Sequence, residues 1–417
     1  MNGAAPHRVA VTGIGLVTPI GTGVRNFWEN LLDGRIGVDT LTRFDPAPFS
    51  SHVAAQIDDF SPAEYMDAKR LRWTDRFAQF SIAASRLALE DANFAPSTFG
   101  DDTGVYIGSA LGGLAYAEDQ HNVFLEQGIK HVRPLLAISV FGGAATTQVA
   151  LEFGLRGPNL ANGNSCAAGT VAIGEAFRAI ARGEVRAALA GGVEAPLSPL
   201  VFGAFAIIRA MSTRNDDPKS ASRPFDRDRD GFVMAEGAGI LVLERLEDAL
   251  ARDARIYGEV AGYGLTGDAH HMTAPDPDAH SSARAMQNAL REARVEAAEV
   301  EMIDAHGSSS KLNDSTETRA FKNVFGDAAY RIPIVATKGQ HGHALGATGV
   351  WETAASLLAM HDGRVPGLVN LRNPDPNCDL DYVSATRELR PRIVLNNSAG
   401  FGGINAALVL KSREPRA

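Results

Sequence analysis

Residues 8–16 read RVAVTGIGL and residues 257–265 read YGEVAGYGL. Each is an apolar strand pattern running into Gly-x-Gly, and the stretches that follow them are alike as well. ALEDA at 88–92 matches ALREA at 289–293, VYIGS at 105–109 matches IDAHG at 303–307, and ILVL at 240–243 matches ALVL at 407–410. In each half a helix leads into a strand that ends in a small-residue turn. This order predicts a tandem duplication of a layered α/β unit, residues 1–255 and 256–417, with the join near 255. The 42 glycines in 417 residues suit close packing of helices on sheets.

Composition narrows the function. Hydrophobic residues make up 45% and charged residues 21%, and 40 basic against 49 acidic side chains leave a net charge of −9. A general polyanion-binding role, nucleic acid included, is disfavoured. Cys166 and Cys378 are too few for a disulfide framework, which fits a reducing, cytoplasmic setting. No apolar run reaches the roughly 18 residues of a membrane span, and residues 1–8 lack the pattern of a secretion signal. The polar stretch 213–230 reads as an ordered surface loop and residues 411–417 as a frayed tail.

Two motifs mimic ligand sites and are set aside. Gly13-Ile14-Gly15 follows a strand, but Thr18 holds the third glycine position of a dinucleotide loop and Pro19 follows, so the segment reads as a structural turn. Asp226, Asp228, Asp230 and Gly231 resemble a calcium loop, yet the twelfth position is Gly237 and Arg227 and Arg229 oppose a cation.

The chemistry concentrates elsewhere. Residues 158–164 (PNLANGN) read as a strand, and Cys166 opens an Ala-rich helix with Ile173, Ala176, Phe177 and Ile180 on one face. Unpaired amides at a helix start favour thiolate, although a lone cysteine is more often a buried, inert one. His306 in DAHGSSS and His343 in KGQHGH stand in glycine-flanked loops at corresponding strand ends, outside any helix. A Cys with two His also suits zinc, though no short-range ligand pair anchors such a site. The remaining histidines, His270 and His271 among them, read as structural. In NNSAGFGGIN at 396–405 the glycines let backbone amides approach a ligand or simply close a hairpin, and an amide there plus that of Cys166 would form an oxyanion hole.

Cys166, His306, His343 and Lys338, with 337–349, the RPFD-to-Gly239 segment and Gly400-Phe401-Gly402-Gly403, together resemble an elongating β-ketoacyl-acyl-carrier-protein synthase of the thiolase-like condensing enzymes. The resemblance covers nearly the whole chain. It implies a duplicated five-layer αβαβα fold, a homodimer or a heterodimer with a chain-length partner, and an acyl carrier protein as partner. No cofactor or metal of its own is implied, since the carrier supplies phosphopantetheine. It further implies that Cys166 carries the acyl chain and that His306 and His343 stabilise the enolate of decarboxylated malonyl thioester. The backbone of Phe401 helps hold the oxyanion, and Lys338 and Glu352 support the histidines. Thr273, Ser308 and Ser310 touch pantetheine, Leu111, Leu135, Leu136 and Phe205 line the acyl pocket, and Ala399 lies in its gate. Lys69, Arg72 and Arg209 dock the carrier; Lys69 and Arg72 belong to a local basic cluster with Arg70 and Arg76, and Arg209 precedes the polar loop.

Departures from the family pattern point within it. Asn164-Ser165-Cys166-Ala167-Ala168 replaces Thr-Ala-Cys-Thr-Ser, Ser308-Ser309-Ser310-Lys311 replaces Thr-Ser-Thr-Pro, and Ala399 replaces a common phenylalanine. Specialised polyketide or polyene synthesis is therefore expected over primary fatty-acid elongation. A non-catalytic chain-length subunit would lack the nucleophile, and a thiolase would need a second catalytic cysteine where Cys378 sits in a polar loop.

Overall fold

A computed structural model describes residues 6–413. Ten strands form the path of one mixed sheet: β1 (Val9–Thr18), β2 (Thr103–Gly108), β3 (Asn159–Asn162), β4 (Ala187–Glu194), β5 (Gly237–Arg245), β6 (Gly258–Gly267), β7 (Met302–Asp304), β8 (Ile334–Val335), β9 (Ile393–Gly400) and β10 (Ile404–Lys411). Their spatial order is β8-β7-β9-β10-β6-β1-β5-β4-β2-β3. Counted from either edge, each half runs third, second, fourth, fifth, first. The halves meet where β1 and β6 pair antiparallel, Val9 opposite Val260 and Val11 opposite Gly258. Strand order and direction thus repeat about an axis at this pair.

Six helices pack on the sheet as its layers: α1 (Arg76–Asp91), α2 (Ala144–Phe153), α3 (Ala168–Ala181), α4 (His280–Ala293), α5 (Lys311–Phe325) and α6 (Thr348–Asp362). Helices α1 and α2 cover the outer face of the first half-sheet, and α4, with α5 beside it, covers that of the second. Helices α3 and α6 contact each other and strands of both halves, so they form the middle layer of an αβαβα stack. Asp75 caps α1 by accepting from Ala78 N at 3.2 Å, and the face that follows buries Phe77, Phe80, Ala84 and Ala88.

The repeated Gly-x-Gly is not a turn. Gly13 and Gly15 lie inside β1, and a Cβ on them would stand 2.3 Å from Ala88 O and 1.9 Å from Ala84 O of α1. Gly262 and Gly264 meet α4 in the same way, 2.2 Å from Ala289 O and 1.9 Å from Ala285 O. The motif recurs because each outer helix rests its backbone directly on its strand.

The stretch 213–230 is also corrected: it is ordered, but residues 220–226 are buried. Its polar groups find partners inside, with Arg223 N donating to Ser309 Oγ at 2.9 Å and Phe225 N to Asp314 Oδ2 at 2.9 Å. The Asp226 carboxylate accepts from Arg372 N and Asn373 N, and Asp230 accepts from Ser212 Oγ and Thr213 N, so protein donors fill the mimic of a calcium loop. Lys411 ends β10, and residues 1–5 and 414–417 of the two expected terminal features lie outside the described residues. Among the described residues no helix is long and apolar enough to cross a membrane.

Gly15→Ala and Gly264→Ala should each force α1 or α4 off its strand, at a cost of about 1–3 kcal/mol for overpacking. Gly267→Ala, with nothing within 4 Å of the new Cβ, should be near silent. Thermal unfolding of the three variants checks this, the first two melting several degrees below the third.

Candidate active site

Cys166 sits in the one-turn 3-10 helix Ser165–Ala167 that leads into α3, as expected. His343 lies just before the equivalent turn Leu345–Ala347 that leads into α6. The two helix starts are in close contact: a Cβ on Gly169 would stand 2.5 Å from the backbone Gly346 O, and one on Gly349 would stand 2.1 Å from the Thr170 side-chain Oγ1. Residues beside the chemistry adopt left-handed backbone, Ser165 at φ 50°, Ser309 at 66° and Leu345 at 42°. Such strain in non-glycine residues clusters at functional sites.

The thiol does not behave as its helix start suggests. Cys166 is buried, and desolvation pushes it up to about 11. The Ser165 hydroxyl, the Lys338 charge and the Phe401 amide pull the other way without offsetting this, while the Glu194 charge adds to the rise. Burial wins over a short helical turn, so the resting group is a thiol. Gly400 packs against Cys166 with its Cβ position 3.1 Å from Cys166 N, and the Phe401 N–H bonds the sulfur. The amides of Cys166 and Phe401 are therefore neighbours.

The histidine rings lie edge to face, 5.3 Å apart at 84°. Lys338, wholly buried, stands behind His306, bonding the Glu352 carboxylate and the His306 carbonyl and lying 3.4 Å from His306 Nδ1. An ammonium only donates, which makes Nδ1 the acceptor and leaves the proton of neutral His306 on Nε2. Thr348 Oγ1 backs His343 Nδ1 at 3.1 Å. Burial, then the Lys338 charge, holds both imidazoles well below their usual range, so both are neutral. Burial raises Glu352 to about 7 against the pull of Lys338. One local expectation is corrected, since Lys338–His341 forms a one-turn helix between His306 and His343.

Cys166, His306 and His343 converge on a cavity of about 280 Å³. The expected Thr273, Ser308, Ser310, Phe205, Ala399 and Phe401 also line it. Leu111 does not, but it packs against the apolar cluster containing Cys166, Phe202 and Leu345. Leu135 and Leu136 are not brought to the cavity, because the short helix Leu136–Ser139 packs on the helix Leu114–Gln127 instead. Lys69, Arg72 and Arg209 are exposed, and Arg209 stands between Ile208 and Ala210 of the cavity rim. The expected basic cluster is smaller than four residues, since Arg70 pairs with Glu152 at 2.8 Å and Arg76 with Glu236 at 2.8 Å.

Sequence reasoning missed the groups that hold these loops. Glu194 accepts from Ser109 Oγ, Ala110 N, Leu111 N and Gly346 N, all at 2.8–3.0 Å, tying the ends of both halves beside Cys166. Glu317 accepts from His306 N at 2.6 Å and Gly307 N at 2.8 Å. A carboxylate closing an apolar strand such as β4 is the available signal for Glu194. Phe232, edge-on to His343 at 5.4 Å, completes the wall.

The match to known proteins agrees with this geometry. Residues 7–249 match the family model of the β-ketoacyl synthase N-terminal domain and residues 257–372 that of its C-terminal domain. The chain is 44% identical over 406 residues to 3-oxoacyl-acyl-carrier-protein synthase 2 of a Synechocystis species, covering 97% of this chain and 98% of that one. It is 44% identical over 409 residues to the protein of the same name from Staphylococcus aureus, covering 98% and 99%. Among solved structures it resembles a ketosynthase/chain length factor named for ishigamide, with a TM-score of 0.92, 37% identity and coverage of 98% and 100%. It also resembles one chain of a structure described as a type II PKS acyl-carrier protein in complex with its ketosynthase bound to the hexaketide, with a TM-score of 0.91, 35% identity and coverage of 98% of this chain and 100% of that one.

A thiol held near 11 sets a pH profile for the free protein. Iodoacetamide labelling of Cys166, followed by intact mass, should rise about tenfold per pH unit from 7 to 9 without a plateau, because thiolate is the reacting form. A plateau below pH 8 would show that the thiolate already dominates at rest.

Proposed function

The chain belongs to the β-ketoacyl synthase family, and on that premise we propose that it performs decarboxylative condensation of an acyl chain on Cys166 with a malonyl unit on an acyl carrier protein. The observation that carries this reading is the convergence of one buried thiol and two neutral imidazoles on a single cavity. The Cys166 sulfur displaces the carrier's pantetheine thiol, the Cys166 proton leaving with that thiol, to give an acyl-enzyme. Malonyl thioester then enters with its carbonyl facing the imidazoles. His306 donates from Nε2–H, and His343 does the same with the Thr348 hydroxyl bonded to its Nδ1. As carbon dioxide departs, its bonding pair becomes the enolate that these donors hold. The enolate carbon attacks the acyl-enzyme carbonyl, the amides of Cys166 and Phe401 hold the oxyanion, and collapse breaks the carbon–sulfur bond, the Cys166 sulfur leaving as thiolate and taking one proton from solvent to return to the resting thiol. Neutral imidazoles suit this step, because an imidazolium beside Lys338 would be repelled. Lys338, held by Glu352, acts as a positioning residue that fixes the His306 tautomer.

The same reading assigns phosphopantetheine contacts to Thr273, Ser308 and Ser310, which line the cavity. Carrier docking falls to Lys69, Arg72 and Arg209, whose exposed cations suit an acidic partner on a chain of net charge −9. The strand β3 is an open sheet edge that carries exposed Leu160 and is preceded in sequence by exposed Phe141 and Leu151, which supports pairing with a second copy or a chain-length partner. The boundary near 255 falls between β5 and β6, and the repeated strand order supports it. Specialised polyketide or polyene synthesis is our reading of the pathway, supported by the small Ala399 in the cavity wall and by the two structural likenesses. Primary fatty-acid elongation is the second reading, favoured by the higher identity to the two synthases named above.

Cys166→Ala should abolish acyl-enzyme formation from acyl-carrier substrates, read by intact-protein mass spectrometry. His306→Ala or His343→Ala should lower malonyl decarboxylation by about 10²-fold while acylation persists. Equal loss in both half-reactions contradicts the division of roles. Ala399→Phe should shift preference toward shorter chains in a competition ladder of acyl-carrier substrates, and unchanged preference argues for the second reading.

A further inference from the structure

The two imidazoles are steadied by different means. His306 has the buried Lys338 ammonium beside its Nδ1, whereas His343 has the Thr348 hydroxyl there, at 3.1 Å. The backbone of His343 is fixed on its own side, since its N–H donates to Val233 O at 2.7 Å and its carbonyl accepts from Ala235 N at 3.0 Å. Thr348 is the first residue of α6 and stands on the far side of the turn Leu345–Ala347. That turn therefore sets where the hydroxyl lies relative to the ring.

The turn is strained at Leu345, whose φ of 42° is left-handed. A non-glycine residue stays there only when its surroundings over-determine it. Steric contact supplies part of the constraint, because a Cβ on Gly192 of β4 would stand 2.1 Å from Gly346 O and one on Gly169 of α3 would stand 2.5 Å from it. Contact keeps the turn from sinking further onto β4, but an attraction is needed to keep it from lifting off. Glu194, the last residue of β4, provides one by accepting from Gly346 N at 3.0 Å.

The carboxylate suits this task. It is wholly buried and takes four donors, Ser109 Oγ at 2.8 Å and Leu111 N at 3.0 Å on Oε1, Ala110 N at 2.8 Å and Gly346 N at 3.0 Å on Oε2. Three of the four are backbone amides, which only donate, so the ionised form is the one that satisfies them. Glu194 does not line the cavity of the site, and its effect on the chemistry has to pass through another residue. Cys166 is held independently, its turn being closed by Ser165 N to Gly163 O at 2.8 Å and Ala167 N to Asn164 O at 3.1 Å.

We propose that Glu194 is a positioning residue for the decarboxylation step: by holding Gly346 it fixes the turn that places the Thr348 hydroxyl against His343 Nδ1. With that hydroxyl donating to Nδ1, the proton of the neutral ring stays on Nε2, toward the malonyl carbonyl. The inference rests on the ketosynthase reading above and adds to it a residue that touches no substrate. Acylation of Cys166 does not depend on this chain of contacts.

The test measures decarboxylation of malonyl-carrier and acylation of Cys166 separately on the full-length protein at about pH 8.5, above the value of about 7 to which burial raises Glu194. Glu194→Gln sets an amide against N–H donors and should lower the decarboxylation rate about tenfold, as for loss of one charge-assisted hydrogen bond, with KM changed less than about twofold and acylation retained. Thr348→Val, which exchanges the hydroxyl for a methyl, should give a similar loss. The double variant should lose no more than the worse single one, because both changes break the same chain of contacts. Gly15→Ala, destabilised at the remote α1, should keep the ratio of the two half-reactions. Should Glu194→Gln not fold, Glu194→Asp, which keeps the charge but draws it back from Gly346, carries the same cycle. Equal loss of both half-reactions in the Glu194 variant, full decarboxylation in Thr348→Val, or single losses that multiply in the double variant overturns the positioning role while leaving the condensation reading standing. Absence of both half-reactions in the unaltered protein overturns the condensation reading, and the positioning role with it.

Discussion

The structure depends on a place where side chains are missing. At the crossing of α3 and α6, Gly169 meets Gly346 and Gly349 meets Thr170 at distances that leave no room for a Cβ. That contact lets two helices from opposite halves start side by side between the sheets. Because Cys166 precedes one helix and His343 the other, the same contact brings nucleophile and imidazole to one cavity. Glu194 reinforces it by bonding backbone amides of residues 110, 111 and 346 with a single buried carboxylate. The catalytic geometry is a property of the middle layer, and the outer helices merely press the sheets onto it.

Around that crossing the site is built from buried charge. Lys338 meets Glu352, Glu317 holds the His306 loop, and Glu194 holds the Leu111 turn, each almost wholly removed from water. Every one of these groups bonds backbone or a partner charge, the condition under which burial is tolerable. The result is a pair of imidazoles kept neutral and a thiol kept protonated until substrate arrives. Such a site leaves its reactive forms to the bound thioesters, which limits side reactions with water or oxidants.

Much of this was legible in the sequence. The repeated strand motif, the matched helices and the corresponding strand ends lead to the duplicated layered fold, and the helix-start cysteine with two glycine-flanked histidines leads to the site. The parts that were not legible share a cause. Gly13 and Gly15 read as a turn because nothing local shows that α1 will lie on them. Residues 220–226 read as surface because their partners Ser309, Asp314 and Lys338 come from far along the chain. Leu135 and Leu136 followed family positions, while in the folded chain their segment rests on a neighbouring helix. Burial of polar residues and the aim of apolar ones are set by tertiary partners, and periodicity carries no record of them.

The place of β1 bears on how the chain is made. It is synthesised first among the strands, yet it lies at the centre of the sheet between β5 and β6, whose residues follow more than two hundred positions later. On the ribosome, this fully buried apolar strand waits without either neighbour until both have emerged. Closing such distant contacts is slow, and an unpaired apolar strand is a site of aggregation. The sheet's centre therefore closes only after β5 and β6 are made, and truncation anywhere before β5 leaves β1 with no strand to pair beyond its own short hairpin.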